Sequence, residues 1–169
     1  LFDIKNLEEE MEFKVSLKQN FIEYSPLALE YLKIITNKIN INNGGILIID
    51  YGYLDKKMKN TIQAVSKHKY TNVLNNFRNS DITYNLSFNL ISQIVRRLGS
   101  FYQAITTQKE FLKKLGILER AEILSRNMPF SKKADMYFRI KRLIDEKQMG
   151  NLFKVTLITK KKNKFKLGF

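Results

Sequence analysis

The chain has 169 residues, 44% of them hydrophobic, with twelve Phe and eight Tyr. That is the composition of one globular domain or a piece of a larger one, long enough to bury roughly 70% of its unfolded surface. It contains no Cys and one His, which excludes a disulfide framework, a thiol nucleophile, a Cys-ligated zinc and any multi-histidine metal site. The net charge of +14 raises nucleic acid or an anionic surface as partners. The cations are spread out, however, and the wealth of Lys, Ile and Asn is what an AT-rich genome produces without a partner. Only Lys160, Lys161, Lys162, Lys164 and Lys166 form a block, which reads as a solvated basic tail over 160–169. No apolar run approaches the ~18 residues of a membrane span, and no signal-peptide pattern opens the chain, so a soluble intracellular protein without membrane insertion is expected. Residue 1 is Leu rather than Met, which suggests a start inside a longer reading frame.

Alternation in Met11 to Leu17 and again in Asn20 to Tyr24 predicts two strands, hence a hairpin insertion over residues 1–24. Ser25-Pro26 then supplies an N-cap and a first-turn proline for a helix to about Ile41. Asn42-Asn43-Gly44-Gly45 ends that helix with a left-handed stop. Ile46-Leu47-Ile48-Ile49 reads as a strand buried on both faces, the pattern of a parallel sheet covered by helices, and Asp50-Tyr51-Gly52-Tyr53 follows at its carboxyl end. Thr61 to Val65 is a short extended piece, 72–80 a polar loop, and Asp81 to Leu86 another short strand. Phe88, Ile91, Ile94, Val95 and Leu98 make a helical stripe stopped by Gly99. Phe101 to Ile105 is a strand, and Thr107-Gln108-Lys109-Glu110 has the form of a capping box. A helix starts over Ile117 to Arg126, Pro129-Phe130-Ser131 breaks it, another helix follows through Tyr137, Ile140, Leu143 and Ile144, and Leu152 to Thr159 is the last strand. The order of elements is that of an α/β fold.

None of the seven glycines falls in a G-x-G-x-x-G or Walker arrangement, so no glycine-rich turn is present to cradle a nucleotide. Asp50 and Tyr51 sit where ligands bind in open α/β sheets, outside the carboxyl end of a strand. Asp50 there either holds a cationic substrate group or begins a turn. His68 lies between Lys67 and Lys69; a surface or hydrogen-bonding role competes with that of a base. Asp81 with Thr83 is a site pair or an Asx-type turn. Gln63 and Gln108 stand beside apolar residues, where bonding a neighbouring loop is the default role.

These residues line up with a known family. Gly44-Gly45-Ile46-Leu47-Ile48-Ile49-Asp50-Tyr51-Gly52, Thr61-Ile62-Gln63-Ala64-Val65 with His68, and Asp81-Ile82-Thr83 resemble the MidA family. So do Thr107-Gln108 with Phe111 to Ile117, and Gln148-Met149-Gly150-Asn151-Leu152-Phe153-Lys154-Val155. This class I S-adenosylmethionine-dependent methyltransferase family includes the mitochondrial complex I assembly factor acting on arginine. Order and approximate spacing agree from residue 22 to 158. The resemblance implies the C-terminal half of a class I (Rossmann-like) methyltransferase fold, with a mixed sheet, an N-terminal hairpin insertion and a helical C-terminal part. Residues 25–159 would be that portion, 107–147 its helical subdomain, with the main cofactor loop upstream of Leu1. It further implies S-adenosylmethionine as cofactor, with Asp50, Tyr51 and Gly52 near it and Gln63, His68, Asp81, Thr83 and Gln108 on the substrate side. The family pattern has His and Asp where this chain has Asn85 and Ser87, Gly-Pro at Ala104-Ile105, Gly at Lys109, and Gly-Asp at Lys59-Asn60.

The resulting expectation is a portion of a protein-arginine methyltransferase linked to complex I assembly, inactive by itself. It would act with its missing N-terminal half or as a homo-oligomer on a protein substrate, in the bacterial cytoplasm or the mitochondrial matrix. The alternatives are a non-catalytic assembly module from a split or decaying gene and, on charge alone, a basic RNA-associated domain.

Overall fold

The computed structural model describes residues 2–74, 79–162 and 167–169. The described elements in chain order are α1 (Phe2–Met11), α2 (Pro26–Asn42), β1 (Gly45–Tyr53), β2 (Gln63–Ser66), β3 (Lys69–Thr71), β4 (Asp81–Thr83), β5 (Leu86–Ser87), α3 (Phe88–Leu98), β6 (Phe101–Thr107), α4 (Gln108–Lys114), α5 (Ile117–Ser125), α6 (Phe130–Ile144), α7 (Met149–Leu152) and β7 (Phe153–Lys160). This is the expected α/β class with a mixed sheet and a helical C-terminal part. The chain divides into two compact units, Leu1–Thr36 with Gly52–Gly99, and Asn37–Tyr51 with Ser100–Phe169.

In the first unit, α2 starts as its sequence dictates: the Ser25 hydroxyl accepts from the Ala28 N–H at 3.3 Å, with Pro26 at the position where a missing N–H costs nothing. Leu29, Leu32 and Thr36 form its buried face. The Thr36 hydroxyl is satisfied by the Leu32 carbonyl at 2.7 Å. Ser87 caps α3 by accepting from the Leu90 N–H, and Phe88, Ile94 and Val95 of α3 are almost wholly buried. The small antiparallel sheet has the order β3-β2-β4. Its β2–β3 turn consists of Lys67 and His68, both left-handed with φ of 49° and 62°, which is what a two-residue hairpin loop of primed type requires. The last two residues of β1 pair in parallel with β5.

The hairpin expected over residues 1–24 is not formed. Residues 2–11 are the helix α1, and 12–25 hold no strand. Leu7 and Met11, at helical spacing, are buried, so helical burial prevails over the weak alternation that follows. The irregular segment is held by side chains instead. Glu8 accepts from the Ser16 N–H and hydroxyl, both at 2.6 Å, and Gln19 bridges to the Met58 N–H and the Lys56 carbonyl.

In the second unit, β7 lies between β1 and β6 and runs antiparallel to both, so β1 and β6 share a direction. Val155, Leu157 and Ile158 are its core, and the buried Thr156 hydroxyl donates to the Ala104 carbonyl at 3.2 Å. The expectation for β1 is corrected here. Residues 45–51 pair antiparallel with β7 rather than in a parallel ladder, and one face is bare. Leu47 and Ile49 remain 45% and 46% exposed. An apolar run makes both faces fit for burial, but neighbours must exist to bury them. The stop after α2 is made by Asn43, with φ of 56°, an amide side chain being tolerated in that region.

Thr107 caps α4 by accepting from the Glu110 N–H, the bond expected of that sequence. The chain end departs from a solvated tail: Gly168 is buried and the Phe169 ring packs on Phe111 at 5.3 Å. Aromatic burial outweighs the charge of the preceding lysines, of which Lys164 and Lys166 lie outside the described residues. Part of the polar loop at 72–80 lies outside them as well. Among the described residues no helix is long and apolar enough to cross a membrane.

Candidate functional site

Asp50 and Tyr51 belong to the second unit, at the carboxyl end of β1. The Asp50 carboxylate is exposed and accepts from the Tyr51 N–H at 2.7 Å through one oxygen. Directly across the ladder stands Lys154, which places a cation on the same face, as paired residues in a ladder share one. The Tyr51 ring, on the opposite face of the strand, rests on Phe153 with centroids 4.1 Å apart and planes at 34°. Gly52 differs. A Cβ there would lie 2.5 Å from both the Leu86 carbonyl oxygen and the Phe88 ring, so its missing side chain makes room for packing, not for a ligand.

Three of the residues assigned to the substrate side come together in the first unit. Gln63 pairs with Thr83, and Val65 with Asp81, across β2 and β4. By the two-residue period of a strand, Gln63, Thr83 and Asp81 therefore occupy one face. All three are exposed, and the Gln63 Nε2 donates to the Thr83 Oγ1 at 3.1 Å. A carboxylate, a hydroxyl and an amide on one short sheet face can together receive a multi-donor cation such as a guanidinium.

His68 is not on this face. It sits exposed in the β2–β3 turn, where its left-handed backbone is its structural duty. Gln108, in the second unit, is buried, and its Nε2 donates to the Leu143 carbonyl at 2.9 Å. It ties the start of α4 to the end of α6. The neighbouring Lys109 binds Glu146. That bond raises the lysine pKa and lowers that of the glutamate.

Sequence reasoning missed Glu23. Its Oε1 accepts from the Thr61 and Ile62 N–H groups at 2.9 and 3.1 Å, and its Oε2 from the Thr61 hydroxyl at 2.6 Å. That hydroxyl in turn accepts from the Asn85 N–H at 2.9 Å. One carboxylate thus clamps the residues just before β2 and, through Thr61, just after β4. No local spacing signals this, because the partners are 38 residues apart. Among the departures from the family pattern, Ser87 caps α3 and Lys109 makes an ion pair, so both have structural work in this chain. Among the described residues no cluster of three metal-ligating side chains exists.

The residues present suit only part of a sulfonium nucleoside cofactor. Asp50 can bond an ammonium or hydroxyl group, and Tyr51 can lie against an apolar surface. No cradle of backbone N–H groups for the rest is formed by the seven glycines of the sequence.

A protein-family profile described as "Putative S-adenosyl-L-methionine-dependent methyltransferase" matches residues 3–106. The chain is 32% identical over 139 residues to the mitochondrial protein arginine methyltransferase NDUFAF7 of Xenopus tropicalis, a match covering 80% of this chain and 31% of that protein. To the homologue in Caenorhabditis elegans it is 30% identical over 98 residues, covering 58% of this chain and 23% of that one. The chain thus spans about a third or less of the curated relatives it matches. Among solved structures, a COG1565 superfamily member from Burkholderia thailandensis bound to S-adenosyl-homocysteine superposes with a TM-score of 0.73 at 19% identity, over 91% of this chain and 42% of that one. A second Burkholderia thailandensis structure of that superfamily gives 0.71 at 20% identity, over 90% and 42%. These likenesses establish a shared fold.

Proposed function

Because the chain belongs to the MidA-like family of S-adenosyl-L-methionine-dependent methyltransferases, we propose that it forms part of an enzyme that methylates an arginine of a protein substrate, a respiratory complex I subunit. The observation that carries this reading is the exposed Asp50 carboxylate at the carboxyl end of β1, the end of an α/β strand where ligands bind. S-adenosylmethionine, when bound, supplies an electrophilic methyl group on a sulfonium centre, and its transfer needs no metal.

This chain's residues have two tasks. At the carboxyl end of β1, Asp50 offers the cofactor a hydrogen-bond acceptor, and Tyr51, on the other face of the strand, offers an apolar surface. Taken by itself, the first unit offers a guanidinium the Asp81 carboxylate, the Thr83 hydroxyl and the Gln63 amide, the carboxylate accepting N–H groups in charge-assisted bonds. Holding a nucleophilic nitrogen in line with the methyl group is the main source of rate in such a reaction. His68, Gln108 and Gly52 keep the backbone and packing roles described above, each within its own unit. The assembled enzyme works in the mitochondrial matrix of a eukaryote or the cytoplasm of a bacterium.

The test is methyl transfer from labelled S-adenosylmethionine to an arginine-containing substrate by an assembled enzyme carrying this chain. Asp50→Ala is expected to lower kcat/KM about tenfold or more; an unchanged rate would remove Asp50 from the site.

A further inference from the structure

The face of the small sheet that holds Gln63, Asp81 and Thr83 has an aromatic member. Val65 pairs with Tyr70 of β3 and with Asp81 of β4, so these three form one row across the sheet, with their side chains on one face. The other face packs inward, with Ala64 only 1% exposed, whereas Tyr70 is 79% exposed. Two devices hold the row in register. The left-handed turn at Lys67 and His68 sets β3 against β2, and a slip of one residue would put Lys69 or Thr71 beside Val65 instead of Tyr70. The Glu23 carboxylate holds Thr61 and Ile62 just before Gln63, while Thr61 holds Asn85 just beyond Thr83, which sets β4.

The charge on this face is selective. The chain carries +14 overall, yet on this face of the described strands the one charged residue is Asp81, since Lys69 falls on the opposite face by the alternation of its strand. A carboxylate and an exposed ring on an otherwise neutral face suit a cation, and one cation above others. A guanidinium is planar, with N–H donors around its edge and no acceptor, so it is held best by acceptors in its plane and a flat surface against its face. Asp81 supplies a carboxylate to the edge. The Gln63 amide, whose Nε2 donates to the Thr83 hydroxyl at 3.1 Å, supplies its oxygen. Tyr70 supplies the flat surface. The β3 and β4 backbones flank β2 and stand roughly 10 Å apart, room for one such group over Val65.

We propose that Tyr70 is a specificity-determining residue for an arginine side chain of the substrate, its ring lying against the guanidinium that Asp81 holds by the edge. This deepens the methyltransferase reading and rests on it for the substrate, but the recognition itself is a property of the first unit.

The test is titration of this chain, followed by NMR at the amides of Val65, Tyr70 and Asp81, with three peptides identical except at one position. That position carries arginine, lysine or citrulline, the last preserving shape without charge. The arginine peptide is expected to bind about tenfold tighter than the citrulline peptide and about threefold tighter than the lysine peptide. Tyr70→Leu should weaken arginine binding about threefold, and Tyr70→Phe should stay within about twofold of the natural chain. Asp81→Asn should weaken it about tenfold, and Tyr31→Leu, on α2, should leave it intact. In an assembled enzyme Tyr70→Leu should raise KM with kcat unchanged, the mark of a contact made equally before and during reaction. The proposal is overturned if no peptide binds, if citrulline or lysine binds as tightly as arginine, if Tyr70→Leu binds equally, or if Tyr70→Phe loses as much as Tyr70→Leu. Arginine binding that follows the expected pattern, in an assembly that never transfers a methyl group, sinks the methyltransferase reading alone. Methyl transfer to arginine with KM unmoved by Tyr70→Leu sinks the role of Tyr70 alone.

Discussion

The two sheets treat their exposed residues in opposite ways. The β3-β2-β4 sheet turns Gln63, Asp81 and Thr83 outward, with a hydrogen bond between Gln63 and Thr83, a polar face compatible with water and with a charged ligand. The β1–β7–β6 sheet turns Leu47, Ile49 and Tyr51 outward along a bare strand, a face that water penalises. Exposure alone therefore does not identify a ligand site. A polar exposed face can receive a small cation, whereas an apolar exposed edge calls for more polypeptide.

The comparison breaks first in the core. Phe88 is fully buried, and the missing side chain of Gly52 accommodates its ring. Phe88→Ala should cost about 3–5 kcal/mol of unfolding free energy, measured by denaturant titration. A cost below about 1 kcal/mol would show that this packing does not hold the first unit together. The two glutamines sharpen the contrast next. Gln108→Ala leaves the Leu143 carbonyl without its partner and should cost about 1–3 kcal/mol without altering cofactor affinity. Gln63→Ala should stay within about 0.5 kcal/mol in stability yet reduce kcat/KM roughly tenfold in an assembled enzyme. If both variants behave alike, the division between structural and ligand-facing glutamine fails.

The Glu8 clamp makes a pH prediction. The Ser16 hydroxyl and N–H, and then Lys14, hold its carboxyl below the ordinary glutamate value. The unfolded chain therefore binds the proton more tightly, and the stabilisation is present above about pH 4.3 and lost as pH falls through the folded value. The melting temperature should drop on acidification through that window, and Glu8→Gln should flatten the drop. The smallest effect belongs to His68. Glycine adopts its left-handed backbone without strain, so His68→Gly should change stability by less than about 1 kcal/mol, in the favourable direction. A loss of catalysis in that variant, with stability unchanged, would return His68 to the site.

Much of the element order was legible because its signals are local. Ser25-Pro26 names a helix start, Thr107 to Glu110 a cap, and Phe88 to Leu98 a stripe, each read from residues within a turn or two. The N-terminal segment departs from its local signal for the same reason: alternation in Met11 to Leu17 is a short-range pattern, whereas Leu7 and Met11 are buried on a helix. Of the candidate site, strand spacing already put Asp81 and Thr83 together, while Glu23 carried no signal because its bonds cross 38 residues.

The sequence by itself determined the α/β class, the caps, the lack of thiol and multi-histidine metal chemistry, and the family, since each depends on residue identity and short-range order. Only the tertiary structure decided that Gln63, Asp81 and Thr83 share a face, that Gln108 is spent on a carbonyl, and that residues 45–51 of β1 pair antiparallel with β7. Pairing partners and the covering of a face depend on segments distant in the chain, and an apolar residue reads the same in sequence whether or not a neighbour arrives to bury it.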